Sequence, residues 1–146
     1  MLEKGKTDQF FLMGYLKKVS GLERPEFYNT QINVSSVRGR YAAPRGVGGV
    51  YNVSKAAVDM LTRTLACEWA GNNVRVNAIV PCTVETDFMP FLADLAAAAR
   101  LRASFPVGRW AQPEDIVGPV LFLASKSSDF ITGQIIYVDG GLTAKT

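Results

Sequence analysis

The chain has no histidine and only two cysteines among its 146 residues. Without histidine there is neither a Ser-His hydrolase triad nor a His-ligated metal, and two cysteines do not complete a thiolate zinc site, so no metal role is expected. No apolar run approaches the roughly 20 residues that cross a bilayer, and membrane association is not expected. A secretory signal is not expected either. With Cys67 inside an expected helix and Cys82 just after an expected strand, both are read as free thiols of a cytoplasmic protein. Charge is not concentrated. Sixteen basic and 13 acidic residues leave +3, with no Lys/Arg stripe and no stacked-aromatic pattern, which argues against a nucleic-acid partner. What remains, 48% apolar and 20% charged, suits one core.

The chain reads as alternating strands and helices. Near the start, Thr7 or Asp8 caps a short helix with Phe10, Phe11, Tyr15, Leu16 and Val19 on its apolar face, and Gly21 lies just past its end. A connecting loop leads to a strand over Gln31–Ser35, where Ser35 and Ser36 emerge at the C-terminal end. Residues 37–50 are rich in Gly and Arg and read as a loop. The glycines at 46, 48 and 49 do not make a phosphate turn, because the last glycine of that pattern would fall on Tyr51 and the strand lies more than ten residues back. From Tyr51 to Ala70, Val53, Ala57, Leu61 and Leu65, flanked by Ala56, Met60 and Trp69, recur at helical spacing, and Gly71 ends the run. Val74–Val80 has the mostly apolar pattern of a parallel strand buried on both faces. Helices are expected over Phe91–Ser104 and from Pro113 to about Ala124, the second with Pro at its first position and Glu114 and Asp115 in its first turn. A last strand spans Gln134–Val138, closed by Asp139-Gly140-Gly141. The order strand, helix, strand, helix, helix, strand is half of a doubly wound α/β parallel sheet.

Chemistry concentrates in Tyr51-Asn52-Val53-Ser54-Lys55. In a helix four residues turn through about 400°, so Tyr51 and Lys55 share one face, roughly 40° apart. A tyrosine hydroxyl, with a reference pKa near 10, needs roughly 4 kcal/mol of help to exchange protons at neutral pH. An ammonium about 5 Å from a phenolate supplies roughly 3 kcal/mol at an effective dielectric near 20, which is the part Lys55 is placed to play. A hydroxyl such as Ser36, hydrogen-bonded to a substrate oxygen, would stabilise charge developing there.

Four stretches occur in order: Ile-Asn-Val-Ser-Ser-Val-Arg-Gly at 32–39, Tyr-Asn-Val-Ser-Lys-Ala-Ala-Val at 51–58, Val-Arg-Val-Asn-Ala-Ile-Val-Pro at 74–81, and Ile-Thr-Gly-Gln with Val-Asp-Gly-Gly within 131–141. Together they resemble the short-chain dehydrogenase/reductase family from about Gln31 to Leu142. The resemblance implies a partial Rossmann-like α/β fold: residues 31–146 as the C-terminal half of the oxidoreductase domain, behind a divergent segment 1–30. It implies hydride transfer between NAD or NADP and a small alcohol or ketone, with Tyr51 as acid/base, Lys55 supporting it and binding the nicotinamide ribose, and Ser36, with Ser35 as the alternative, as the serine. Pro81, Cys82, Val84 and Thr86 fall where relatives hold the cofactor, Val84 by its backbone and Thr86 by its hydroxyl. Where relatives have Pro-Gly, this chain has Pro81-Cys82, a departure that bears on how closely the backbone approaches a cofactor. Asn77 and Asp139 fall at structural positions. The family's glycine-rich turn and helix asparagine are not recognisable in residues 1–30, so the chain is expected to bind cofactor weakly. A homo-oligomer is implied. The competing expectation is a non-catalytic relative that serves as an association module.

Overall fold

The computed structural model describes residues 29–42, 48–86 and 95–145. Three parallel strands, β1 (Thr30–Val34), β2 (Arg75–Pro81) and β3 (Ile135–Val138), form one sheet in the order β1-β2-β3. Three helices connect them: α1 (Gly49–Trp69), α2 (Leu95–Ala103) and α3 (Pro113–Ala124). This is the element order expected from the pattern, with α1 starting two residues early. The helix expected near residue 8, residues 43–47 of the glycine-containing loop and residues 91–94 of the expected second helix lie outside the described residues.

Side-chain alternation along the strands divides the helices between the two faces. Ile32, Ile79 and Ile136 point to one side and pack with Val120 and Leu123 of α3. Full burial, reached at Ile79, Val120 and Leu123, contributes roughly 1.5–3 kcal/mol for each side chain. The C-terminus of α3 is closed from the sheet by Arg75, whose guanidinium donates to the carbonyls of Leu123 (2.9 Å) and Ser125 (3.3 Å) and to the Ser128 hydroxyl (2.8 Å). A cation there satisfies the end carbonyls and complements the helix dipole.

On the opposite face lies α1, whose apolar spacing marks the helix but not the side turned to the sheet. The stripe Val53, Ala57, Met60 and Leu61 faces solvent, while the helix buries Asp59, Thr62 and Ala66 against the sheet. The reason is local chemistry. Asn33 of β1 donates its amide to the Thr62 hydroxyl at 2.9 Å, and Ala66 lies close to Gly133, so small and polar side chains let the helix approach a sheet surface that is itself partly polar. Asn77, fully buried on the α3 face, donates to the Ile131 carbonyl (2.9 Å) and accepts from the Gln134 amide (3.0 Å), holding the segment that enters β3. Asp139 similarly accepts from Gly141 N, Thr143 N and the Thr143 hydroxyl at the exit of β3. Both residues are structural, as their positions implied. Among the described residues no helix is long and apolar enough to cross a membrane.

Candidate active site

Because the strands are parallel, the C-terminal ends of β1 and β2 open at one edge of the sheet, the edge where open α/β sheets bind ligands. Ser35 and Ser36 leave β1 there, and Pro81–Thr86 leave β2.

Tyr51 and Lys55 stand one turn apart in the first turns of α1. The Lys55 ammonium lies 5.6 Å from the Tyr51 ring centroid and donates to the Val34 carbonyl at 3.0 Å. A lysine has three donors, so among the described residues two stay free for other acceptors. Tyr51 is half exposed, at 49%.

The two serines are not equivalent. Ser35 donates its hydroxyl to the Lys55 carbonyl at 3.1 Å and so ties β1 to α1. The Ser36 oxygen accepts from Arg38 N at 3.3 Å as the cap of a short 3-10 turn, Val37–Gly39, which leaves its own proton available to a ligand oxygen. That turn rests directly on α1: a Cβ on Gly39 would come within 3.0 Å of the Lys55 and Ala56 backbone. Glycine is therefore needed at the end of the Ser-Val-Arg-Gly run, and its absence of a side chain fixes the serine beside the helix.

The run after β2 is held by the segment leading into α3. Ala111 N donates to Thr83 O at 2.9 Å and Glu85 N to Ala111 O at 2.8 Å, a parallel bridge pairing Val84 with Ala111. In such a bridge the peptide groups of the paired residue point away from the partner, so the N–H and C=O of Val84 face outward. Thr86 is exposed. Cys82 is half buried against Phe105 and Trp110 and donates weakly to the Thr83 carbonyl at 3.6 Å. Burial, and then the charge of Asp139, push its thiol above the ordinary value. Among the described residues only Asn73, outside glycine, has a positive φ, so the backbone at position 82 lies in a region open to any residue. No hydrogen bond among the described residues joins Pro81–Thr86 to Tyr51 or Lys55; what the two groups share is the edge.

Sequence reasoning passed over a polar cluster beside this run. The Glu85 carboxylate accepts from the Trp110 indole N–H at 2.7 Å and from the Gln112 amide at 2.6 Å, and these bonds, with the charge of Arg102, hold it below the usual carboxylate range. Arg109 forks onto Asp115 at 2.6 and 2.9 Å, and the same carboxylate accepts from Gln112 N at 2.7 Å to cap α3. Asp115 is held far below its usual range by that fork and cap. The capping signal at Pro113–Asp115 is visible in the sequence, whereas the partner of Glu85 lies 25 residues on.

The parallel sheet with a Tyr/Lys helix and a serine turn at its open edge defines an α/β protein of the Rossmann-like type. Residues 12–143 match the family model described as enoyl-(acyl carrier protein) reductase, a match that begins ahead of Gln31. The chain belongs to the short-chain dehydrogenase/reductase family. It is 44% identical over 111 residues to the 3-oxoacyl-(acyl-carrier-protein) reductase of Thermotoga maritima, covering 76% of this chain and 44% of that protein. Among solved structures it is similar to a gluconate 5-dehydrogenase from Burkholderia cenocepacia in complex with NADP and tartrate, with TM-score 0.74 and 37% identity over 80% of this chain and 46% of that one. A putative NAD(P)-dependent gluconate 5-dehydrogenase from Beutenbergia cavernae with bound NADP gives TM-score 0.73 and 44% identity, covering 80% and 46%. The chain thus spans less than half the length of each of these relatives.

Proposed function

We propose that this chain carries the catalytic half of an NAD(P)-dependent oxidoreductase that interconverts a small alcohol and its carbonyl compound. The observation that carries the reading is the arrangement of Tyr51 and Lys55 on one turn of α1, with the Lys55 ammonium tied to the end of β1 beside Ser36. The residues present suit the nicotinamide end of the cofactor. The outward peptide groups of Val84 match the donor and acceptor of a carboxamide, two free donors on Lys55 match ribose hydroxyls, and Thr86 has an exposed hydroxyl. Pro81 and Cys82 bring the backbone to that edge. When bound, the nicotinamide ring supplies or accepts the hydride.

In this scheme Tyr51 removes the alcohol proton as the carbonyl forms and returns it in the reverse direction. Ser36 donates to the same oxygen and stabilises charge there. Lys55 places a positive charge beside the phenol ring. Relatives described as gluconate dehydrogenases and acyl-carrier-protein reductases support hydroxylated acids or oxoacyl compounds as the substrate class. Both thiols are free, as in a cytoplasmic protein, and the exposed apolar stripe of α1 (Val53, Met60, Leu61) suits a homo-oligomer.

The test is binding of nicotinamide mononucleotide, which carries the carboxamide and ribose without the adenosine half. Millimolar binding lost in Lys55→Met is expected; equal binding by the two forms would refute the cofactor assignment. A second reading, a non-catalytic association module, draws on the outer edge of β1, which is unpaired among the described residues. Sedimentation of a stable monomer would count against it.

A further inference from the structure

Glu85 joins the run that leaves β2 to the segment that leads into α3. Its backbone N–H bonds Ala111 O, and its carboxylate reaches past that bridge to the Trp110 indole and the Gln112 amide. Trp110, 5% exposed, cannot easily turn away: its ring packs with Phe105 and Ala98 and lies 4.3 Å from the Arg102 guanidinium. The carboxylate is therefore anchored to a buried, immobile ring, while Val84 and Thr86 on either side of it make no side-chain hydrogen bond among the described residues. A two-residue backbone bridge by itself is short enough to fray. Charge-assisted hydrogen bonds are roughly twice as strong as neutral ones, so the two that end on Glu85 are what keeps the bridge closed.

We infer that Glu85 is a positioning residue which, anchored on Trp110, holds Thr83–Thr86 in the register that turns the Val84 peptide groups outward to a nicotinamide carboxamide. The inference rests on the cofactor reading above for its ligand, but not for the hold itself. Glu85 touches no reacting atom in this scheme. It acts through the backbone of its neighbour, and Trp110 and Gln112 act through it.

The experiment uses the full 146-residue chain with Trp69→Phe, which leaves Trp110 as the only one of its two tryptophans. Amide hydrogen exchange is measured without ligand, and nicotinamide mononucleotide is titrated against Trp110 emission. Glu85→Ala is expected to speed exchange of the Glu85 and Ala111 amides about tenfold and to weaken nucleotide binding about tenfold, as loss of charge-assisted hydrogen bonds implies. Glu85→Gln, which keeps one acceptor oxygen, should recover most of both. Unchanged exchange in Glu85→Ala overturns the hold whatever the nucleotide does. Faster exchange with unchanged nucleotide affinity overturns the positioning role. A parent chain that binds no nucleotide, with exchange still accelerated in Glu85→Ala, overturns the cofactor reading while supporting the hold. Should Glu85→Ala fail to fold, the comparison is made with Gln112→Ala, which removes one of the two carboxylate bonds and is expected to produce a smaller change in the same direction.

Discussion

The Lys55 ammonium donates to the Val34 carbonyl at 3.0 Å, so the helix that carries Tyr51 is pinned by its own lysine to the last residue of β1. The serine turn begins two residues beyond Val34, and Ser35 returns the tie by donating to the Lys55 carbonyl at 3.1 Å. Helix and strand are stitched twice within a few residues. The three side chains singled out from the sequence thereby take fixed places relative to one another even though 15 residues separate Ser36 from Tyr51.

Removing that stitch should cost little stability, which makes Lys55 open to a clean functional test. Val34 is 40% exposed, so water can replace the ammonium at its carbonyl. Lys55→Met is expected to lower unfolding free energy by no more than about 1 kcal/mol, the scale of an exposed hydrogen bond. Urea denaturation checks this; a loss of several kcal/mol would mean that Lys55 is chiefly structural.

Asn77 should behave in the opposite way. It is fully buried and bridges Ile131 O to Gln134 N, so Asn77→Ala strands two backbone groups at the entrance of β3. At about 1–3 kcal/mol for each unsatisfied group, a loss of roughly 2–6 kcal/mol is expected. Urea midpoints decide it, and a loss below about 0.5 kcal/mol would show that the segment is held by its other contacts.

The two thiols should differ in reactivity. Alkylation proceeds through the thiolate, and burial together with the Asp139 charge raises the Cys82 thiol, so a smaller share of it is ionised near pH 8. Cys67 is exposed. Iodoacetamide followed by peptide mass mapping should therefore label Cys67 first, with Cys82 following only as the pH is raised or the chain unfolds. Labelling of Cys82 ahead of Cys67 in the folded chain would contradict the packing of its side chain against Phe105 and Trp110.

What was legible in the sequence was whatever short-range pattern dictates. The apolar run of β2, the Pro113-Glu114-Asp115 start of α3 and the one-turn spacing of Tyr51 and Lys55 all depend on neighbours within a few residues. What was not legible depends on partners far along the chain. The side of α1 that meets the sheet was not legible, because Thr62 is paired with Asn33, 29 residues away, and no apolar count reveals a polar contact across an interface. The packing of the Cys82 side chain beside Phe105 and Trp110 likewise depends on residues more than 20 positions on. The hold of Trp110 on Glu85 joins two loops with no periodicity between them.

The chemistry itself can be tested in a chimera that joins residues 29–145 to the amino-terminal half of a solved relative, assayed on that relative's substrate. Tyr51→Phe keeps the ring over which the Lys55 ammonium lies and removes only the hydroxyl. Turnover is expected to fall by roughly 10² to 10⁴, the range of general acid/base catalysis, with little change in cofactor affinity. Lys55→Met should reduce turnover and weaken cofactor binding together, because its ammonium is assigned both to the phenol and to the ribose. The double variant separates the two roles. If Lys55 aids turnover through the Tyr51 hydroxyl, that part of its effect has nothing to act on once the hydroxyl is gone. Lys55→Met in the Tyr51→Phe background should then cost only the binding component, and the losses in kcat should be markedly less than additive. Full additivity in kcat would mean that the two side chains act independently, and near-normal turnover in Tyr51→Phe would remove the acid/base assignment altogether.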